Sequence, residues 1–265
     1  MPGRDVALDA LADAVSEAGR RAMAYWGVGN AELRHWEKEP GQPVSNADLL
    51  VDEHLKLTLG ALAPDAAWLS EETVDDPVRV EAKRLWLVDP IDGTRDFVRG
   101  RPGWAVSIAL VEHGEVVLAA LAAPARDELW LAAKGQGATR NGVVLRGSTR
   151  AQLPGARVPA DILPKLDQDL VTVFKPNSIA LRMAMVAADE ADLVATVRWG
   201  AEWDIAASSL IAREAGVMVT DALGQELLFN RKKPVALGML CCAPAIHEEA
   251  VDRLRERALG ILQGG

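Results

Sequence analysis

Two aspartates stand where an apolar segment of the chain ends. The run at residues 85–88 is apolar throughout, which is typical of a strand that is buried on both faces. Asp89 follows it directly, and the carbonyl of Ile91, the carboxylate of Asp92 and a Gly-Thr pair come next. Two carboxylates that leave a core together repel each other unless a positive charge lies between them. The segment therefore indicates a site for a hard cation beside a pocket for an anion.

The same residues also have a plainer interpretation, because Asp-Pro and Asp-Gly are common in ordinary turns. Acids near the ends of three other predicted elements favour the cation site. Asp48 occupies the third position of a helix that begins after a Ser cap. Glu71 follows a predicted strand at 66–69, and Asp204 opens a later helix. Asp52, one turn after Asp48, is interpreted as compensating the helix dipole.

Convergence of these acids would suit Mg²⁺, which prefers oxygen ligands and leaves room for water and phosphate. Two ions about 4 Å apart can activate a water and stabilise a leaving oxygen. Asp89 would bridge such ions. Glu71 and the Ile91 carbonyl would complete one site. Asp92 and Asp204 would complete the other.

The turn after the apolar run supplies the expected contacts to phosphate. Pro90 fixes its own φ and stiffens the turn. Gly93 allows a close approach of the backbone, and the N–H groups that follow it would point at a phosphate. The hydroxyl of Thr94 would orient the attacking water.

The elements that must position these residues follow from the hydrophobic periodicity. Helices are predicted at residues 5–25, 45–62, 177–189, 203–216 and 244–259. Strands are predicted at residues 66–69, 85–88, 104–111, 115–123, 128–133, 138–145, 171–174, 192–197, 217–220 and 235–242. The segments 37–43 and 198–202 are predicted loops.

These elements predict an α+β fold with two lobes. The first lobe, residues 1–145, would pack helices on an antiparallel sheet and would carry most of the cation ligands. The second, residues 146–265, would hold a smaller, mixed sheet, because helices and strands alternate there. It would supply Asp204 and contacts to substrate.

Composition and charge exclude several other classes of protein. The chain has 265 residues, of which 49% are hydrophobic and 25% charged, and its net charge is −9. A negative chain is unsuited to non-specific binding of a nucleic-acid polymer. No run approaches about 20 apolar residues, and residues 1–5 show no signal pattern, so no membrane partner is expected. The two cysteines, Cys241 and Cys242, are adjacent, which favours a reduced, cytoplasmic protein.

Four motifs resemble those of the inositol monophosphatase family, which comprises magnesium-dependent, lithium-sensitive phosphomonoesterases. They are Ser-Glu-Glu-Thr at 70–73, Trp-Leu-Val-Asp-Pro-Ile-Asp-Gly-Thr at 86–94, Trp-Asp-Ile-Ala-Ala at 203–207, and Val-Ser-Asn-Ala-Asp at 44–48. In the last, Ser45 stands where threonine is commoner. The resemblance spans nearly the whole chain. It implies an αβαβα layered sandwich, a homodimer, and two or three Mg²⁺ ions, with Mn²⁺ as a substitute and Li⁺ as an inhibitor.

The resemblance also implies a role for each motif residue. The metal ligands would be Glu71, Asp89, the Ile91 carbonyl, Asp92 and Asp204. Thr94, with Glu71 or Asp48, would position the nucleophilic water. Lys38 matches, within a residue, a mobile-loop lysine near the metals. The implied reaction is an in-line attack of metal-activated water on phosphorus without a phosphoenzyme, and the chain has no Cys-x₅-Arg phosphate loop that would contradict it.

Departures from the inositol pattern bear on the substrate. Residues 95–97 are Arg-Asp-Phe, and Val197 and Arg198 stand where an acid contacting inositol is expected. A cation such as Arg198 suits a second phosphate, although it is also typical of a solvated loop. Trp199 would either stack on an adenine or have a role in packing within the protein. We therefore expect a 3′(2′),5′-bisphosphate nucleotidase that converts 3′-phosphoadenosine 5′-phosphate to AMP, with Arg198, Lys38 and Arg95 as substrate contacts.

Two alternatives stay open at this point. One is an inositol-1-monophosphatase or a related sugar or polyol phosphatase. The other is a catalytically inactive, metal-binding regulatory protein, which the intact set of acids and Thr94 disfavours.

Overall fold

A computed structural model describes residues 6–264 of the chain. Its helices are α1 (Leu8–Met23), α2 (Asn46–Leu62), α3 (Thr94–Val98), α4 (Ile179–Ala187), α5 (Glu202–Glu214) and α6 (His247–Gly264). Residue 5, where the first helix is predicted to begin, and the N-terminal segment examined for a signal lie outside the described residues.

Fourteen strands are assigned within residues 6–264. They are β1 (His35–Glu39), β2 (Gln42–Ser45), β3 (Ala67–Ser70), β4 (Arg84–Asp92), β5 (Ala105–Glu112), β6 (Glu115–Ala123), β7 (Glu128–Ala133), β8 (Ala138–Arg140), β9 (Val143–Val144), β10 (Arg157–Pro159), β11 (Val171–Val173), β12 (Leu193–Ala201), β13 (Met218–Thr220) and β14 (Val235–Cys242). Short 3-10 turns lie at Pro77–Glu81, Pro124–Arg126, Lys165–Asp167 and Pro244–Ile246.

The larger sheet has seven strands in the order β3-β4-β5-β6-β7-β8-β9. All neighbours are antiparallel except β3 and β4, which run parallel. The prediction of an antiparallel sheet is therefore wrong for this one pair. Residues 71–83 carry the chain back to the starting edge, and a parallel pair requires such a crossover rather than a tight hairpin. The carboxyl ends of β3 and β4 consequently meet at one edge of the sheet.

The smaller sheet has three strands in the order β12-β14-β13, and it is antiparallel throughout. The predicted mixed character of this sheet is wrong. Helix α5 does connect two strands that run the same way, β12 and β13, but β14 inserts between them and opposes both. The parallel pair in this half of the chain is separate and joins β10 to β11.

The sheets and helices form five layers, which confirms the αβαβα sandwich. Successive residues of β4 alternate between the two faces of the large sheet. Trp86 and Val88 pack with α1 and α2. Leu85 and Leu87 pack with α4 and α5, whose other side meets the small sheet. Helix α6 covers the outer face of that sheet around Leu193, Leu240 and Leu254.

Two predicted loops are parts of strands. Residues 37–43 belong to the β1–β2 hairpin, whose registers pair His35 with Ser45 and Glu39 with Gln42. Residues 198–201 continue β12, because their backbone pairs with β14 as far as Val235. A β-bulge between Thr196 and Trp199 interrupts this pairing.

The division into lobes at 145/146 stays a prediction. The largest core cluster contains residues from both sides of that point, with Leu87 and Trp130 on one side and Met183 and Ile211 on the other.

Candidate functional site

Parallel pairing of β3 with β4 brings Glu71 next to Asp89. Ser70 pairs with Val88 in this register, and the N–H of Glu71 donates to the Val88 carbonyl at 3.2 Å. Asp204 lies in the first turn of α5, the helix that covers the face of the large sheet with Leu85 and Leu87. One carboxylate oxygen from each of Glu71, Asp89 and Asp204 lies within 4.8 Å of the others. We call these three residues the acid cluster.

The acid cluster is electrostatically frustrated. Burial, followed by the charges of Glu71, Asp92 and Asp204, raises the pKa of Asp89 well above its usual value. Burial and then the charge of Asp92 likewise raise the pKa of Asp204. Buried carboxylates in such a group are stable as anions only with a cation among them. The oxygen donors and their spacing fit a hard divalent ion.

Lys38 on β1 places one positive charge beside Glu71 of the acid cluster. Its Nζ lies 3.1 Å from Glu71 Oε1 and 2.7 Å from Glu72 Oε1. Burial acts to lower the pKa of Lys38, but the hydrogen bonds and charges of Glu72 and Glu71 together outweigh burial and raise this pKa. The predicted proximity of Lys38 to the acids is thus seen in the structure.

A hydrogen bond joins Thr94 to Asp48, the acid of the fourth motif. The Thr94 hydroxyl lies 3.2 Å from Asp48 Oδ1 and 3.0 Å from the Ile91 carbonyl, and its single proton can go to one acceptor at a time. Both the N–H and the hydroxyl of Ser45 donate to Asp48 Oδ2, which completes the predicted capping box of α2. Burial raises the pKa of Asp48 to about 7.

Asp92 connects β4 to the start of α4. Its Oδ2 accepts the Ser178 hydroxyl at 2.5 Å and the Ala180 N–H at 2.7 Å, and its Oδ1 accepts the Ile179 N–H at 3.3 Å. Burial raises the pKa of Asp92 to about 6, against these hydrogen bonds, which lower it. A carboxylate has about four lone-pair positions, so one remains for a further ligand.

Comparison with known proteins gives the site a context. The family model described as "Inositol monophosphatase family" matches residues 4–258. A protein of Thermotoga maritima named fructose-1,6-bisphosphatase/inositol-1-monophosphatase is 33% identical, over 94% of this chain and 96% of its own length. A Nus factor SuhB from Salmonella typhimurium is 33% identical, over 68% of this chain and 72% of its own length. A solved IMPase structure from Thermotoga maritima superposes with a TM-score of 0.80 at 31% identity, covering 94% of this chain and 96% of that one.

The chain belongs to the inositol monophosphatase family. It is accordingly a phosphatase that hydrolyses phosphomonoesters. The four motifs that suggested the inositol monophosphatase resemblance are the segments that supply Asp48, Glu71, Asp89, Asp92 and Asp204 to this one region.

Gly93 has a conformational role in this inositol monophosphatase fold. Its φ is 96°, in the left-handed region, and a Cβ there would lie 2.7 Å from the Gly103 carbonyl and 2.9 Å from the Ser178 N–H nitrogen. The close approach is thus to the protein's own backbone. Contacts of Gly93 and Thr94 with phosphate stay predictions.

The predicted substrate contacts separate into two places. Arg95 is exposed at the start of α3, where its Nη2 donates to the Gly41 carbonyl at 2.6 Å. Arg198 is exposed at the β12 bulge and lines a cavity of about 300 Å³ together with Arg253 and Arg257. No member of the acid cluster lines that cavity, and among the described residues no hydrogen bond or ion pair joins Arg198 to these acids. Trp199 is 50% exposed and is not fully packed.

Asp52 has a role that its sequence position did not reveal. Its carboxylate accepts the hydroxyls of Ser70 and Thr73, the latter at 2.7 Å. These residues flank Glu71, so Asp52 holds the loop that presents this glutamate. The interpretation of Asp52 as compensating the helix dipole is therefore incomplete, since its oxygens also bind side chains of another segment.

A second buried network, which was not predicted, joins two segments that carry acids of the cluster. Arg79 is buried and donates through Nη1 to Asn230 Oδ1 at 2.9 Å. The N–H groups of Asn230 and Arg231 donate to the two oxygens of Glu202 at 2.7 and 3.1 Å. Burial raises the pKa of Glu202 to about 7. This network connects the segment after Glu71 to the first turn of α5.

The cysteines and helices add two further observations. Cys241 and Cys242 are free and buried in the β14 core. Within residues 6–264, no helix has both the length and the apolar composition needed to cross a membrane.

Proposed function

We propose that the chain is a Mg²⁺-dependent phosphomonoesterase in which the acid cluster holds the metal. The convergence of Glu71, Asp89 and Asp204 to within 4.8 Å carries this proposal. The Ile91 carbonyl and the remaining lone pair of Asp92 are the further ligands. When bound, the metal supplies charge neutralisation and lowers the pKa of a coordinated water.

The protein's own groups then position the reaction. Thr94 accepts a hydrogen bond from the attacking water while its proton is donated to Asp48 Oδ1, which fixes the direction of the lone pair. Glu71, a member of the acid cluster, would accept the second proton of that water. Asp48 is available as an acceptor because Ser45 binds its other oxygen.

For the substrate we propose a small sugar or polyol phosphate. The support comes from the names of several relatives, which are inositol-1-monophosphatase or combine that name with fructose-1,6-bisphosphatase, whereas other relatives are named Nus factor SuhB. The second candidate is a 3′(2′),5′-bisphosphate nucleotide. Arg198 gives that candidate no further support, because among the described residues no contact joins it to the acid cluster, whereas Arg95, Arg99 and Arg101 follow Thr94 in sequence.

The decisive experiment measures phosphate release from three substrates with Mg²⁺, with Mn²⁺ and with EDTA. The substrates are inositol 1-phosphate, fructose 1,6-bisphosphate and 3′-phosphoadenosine 5′-phosphate. We expect release that requires the divalent ion and is reduced by Li⁺. Preference for the nucleotide would reverse the order of the two candidates. No metal-dependent release from any of them would contradict the proposal and favour a regulatory, inactive protein.

The remaining features are proposed on the same basis. Family membership supports a homodimer, and two buried free thiols support a reducing, cytoplasmic location. The chain's net charge of −9 supports a small phosphorylated substrate rather than a nucleic-acid polymer.

A further inference from the structure

Four residues from three segments of the chain form one connected network of hydrogen bonds, which we call the clamp. They are Arg79, Glu202, Asn230 and Arg231. The backbone of Asn230 has a φ of 63°, in the left-handed region that glycine and asparagine adopt most readily. A residue other than glycine stays in this conformation where the surrounding contacts fix it. The contacts of Asn230 therefore hold its loop in one defined shape.

Arg79 attaches this loop to the segment that follows Glu71. Its Nη1 donates to Asn230 Oδ1 at 2.9 Å and to the Arg231 carbonyl at 3.1 Å. Asn230 Nδ2 donates in return to the Arg79 carbonyl at 3.0 Å. The Nε and Nη2 groups of Arg79 bind the two carboxylate oxygens of Asp75 at 2.6 and 2.9 Å. Since Asp75 is four residues after Glu71, the segment that leaves this glutamate is fixed at two points.

Glu202 attaches the same loop to the first turn of α5. Its two oxygens accept the N–H groups of Asn230 and Arg231, at 2.7 and 3.1 Å. Its own N–H donates to the Pro234 carbonyl at 2.9 Å. Because Glu202 is 1% exposed, its carboxylate holds backbone and is not open to a ligand from solvent. Asp204 lies two residues later in the same helix, so its position follows that of Glu202.

We propose that the clamp is a positioning device that sets the separation of Glu71 from Asp204. The inference rests on the proposed function, because it gives the clamp a role in holding metal ligands. Mg²⁺ requires ligands at nearly ideal distances and angles. The carboxylates of Glu71 and Asp204 are like charges within 4.8 Å of each other, and they repel when no cation lies between them. The clamp opposes this repulsion by joining the two segments through a third.

Asn141 provides a matched control for Asn230. It lies in the turn between β8 and β9, at the edge of the seven-stranded sheet opposite to β3. Its φ is 50°, its Oδ1 accepts the Leu129 N–H at 2.7 Å, and its Nδ2 donates to the Asp127 carbonyl at 2.7 Å. Asn141→Gly therefore removes the same kinds of contact as Asn230→Gly, also from a residue with positive φ.

The test measures Mg²⁺ affinity by calorimetric titration and stability by chemical denaturation, for the wild type and both variants. Asn230→Gly allows the positive φ but removes both side-chain hydrogen bonds to Arg79. We expect its Kd for Mg²⁺ to rise about tenfold, as for other supports of metal ligands, and its activity at saturating Mg²⁺ to approach that of the wild type. Asn141→Gly should lose stability with an unchanged Kd. An unchanged Kd in Asn230→Gly would overturn the inference, whatever its stability.

Glu202→Gln tests the other side of the clamp. Its amide has one acceptor oxygen, so its NH₂ group would face one of the two N–H donors, and Kd should rise again. In the double variant with Asn230→Gly, Kd should rise by less than the product of the single effects, because both act through one loop. Independent effects would overturn the clamp as one device. If Glu202→Gln does not fold, Asn230→Gly decides alone.

The wild type separates failure of the inference from failure of the proposed function. Absence of Mg²⁺ binding by the wild type would overturn the proposed function and the clamp's role with it. Binding by the wild type that Asn230→Gly retains in full would overturn the clamp's role alone.

Discussion

Asp89 is the residue on which the site depends. It is buried, its Oδ1 accepts the Ile91 N–H at 3.0 Å, and it lies among Glu71, Asp92 and Asp204. Burial and the negative charges of three neighbouring carboxylates both destabilise the ionised form of Asp89. It is therefore the side chain whose charge a divalent ion would compensate most.

Replacing Asp89 with asparagine should separate activity from stability. Asn keeps the oxygen that accepts the Ile91 N–H but removes the charge, so metal affinity and activity should each fall by about a hundredfold or more. In EDTA at pH 8 the variant should melt above the wild type, because a buried repulsion is lost.

Phosphate release and melting curves in EDTA measure the two effects. Asp252→Asn, on the exposed face of α6, is the control. Near-normal turnover by the Asp89 variant would rule out its bridging role.

Among individual residues, the sequence predicted the site acids but not the side chains that hold these acids and their loops in place. Asp89 and Asp92 follow an apolar run, which is a local signal. Asp52, Ser178 and Glu202 carry no such signal, since their partners are 18 to 86 residues away. Only the fold shows which loop each one holds.

Among the elements, α2 holds two loops of the site at once. Asp48 on its first turn reaches Thr94, and Asp52 one turn later binds Ser70 and Thr73. A helix is rigid, so the two loops keep a fixed spacing.

Substitution of Asp52 tests the dependence of Glu71 on α2. In Asp52→Asn the amide cannot accept both hydroxyls, so the loop at 70–73 should loosen. We expect the Mg²⁺ concentration for half-maximal activity to rise about tenfold, as for other supports of metal ligands. The free energy of unfolding should fall by about 1–2 kcal/mol.

A magnesium titration of activity, with chemical denaturation alongside, makes the comparison. Glu53→Gln, the next residue on the exposed side of α2, is the matched control. A loss of stability without any change in magnesium dependence would show that Asp52 supports the fold alone.

Sheet order was harder to predict than strand positions. Strands β6, β7 and β14 are found close to where alternation predicts them, but the pairing of β3 with β4 depends on the path of residues 71–83. That segment is charged and irregular, and its sequence gives no sign of a crossover. The antiparallel small sheet was missed for the same reason, since nothing local shows β14 entering between β12 and β13.

For the whole molecule, the raised pKa values predict how stability depends on pH. The pKa rises from 3.8 to about 6 for Asp92 and from 3.8 to about 7 for Asp48. A group that binds its proton more tightly when folded stabilises the protein fully below its unfolded pKa, and this contribution is lost as pH rises through the folded pKa. Without metal, stability from the site should therefore fall between about pH 4 and pH 7.

Melting temperatures in EDTA at pH 5 and pH 8 test this, with Mg²⁺ added in a parallel series. We expect the wild type to lose more stability than Asp89→Asn over this interval, and Mg²⁺ to restore more at pH 8. The lowered pKa values of His54 and His247 act in the opposite direction, but they are common to both proteins and cancel in the difference. Equal slopes for the two proteins would contradict the prediction.

The layered core has a consequence for how the protein is made. One face of the seven-stranded sheet is covered by α4 and α5, which are translated after every strand of that sheet. The nascent chain consequently exposes Leu85, Leu87 and Trp130 until residues 179–214 leave the ribosome. Exposed apolar sheet surface promotes aggregation. Ribosome pausing or truncation between residues 145 and 214 should therefore make this protein a client of chaperones, although the first half already contains a complete sheet.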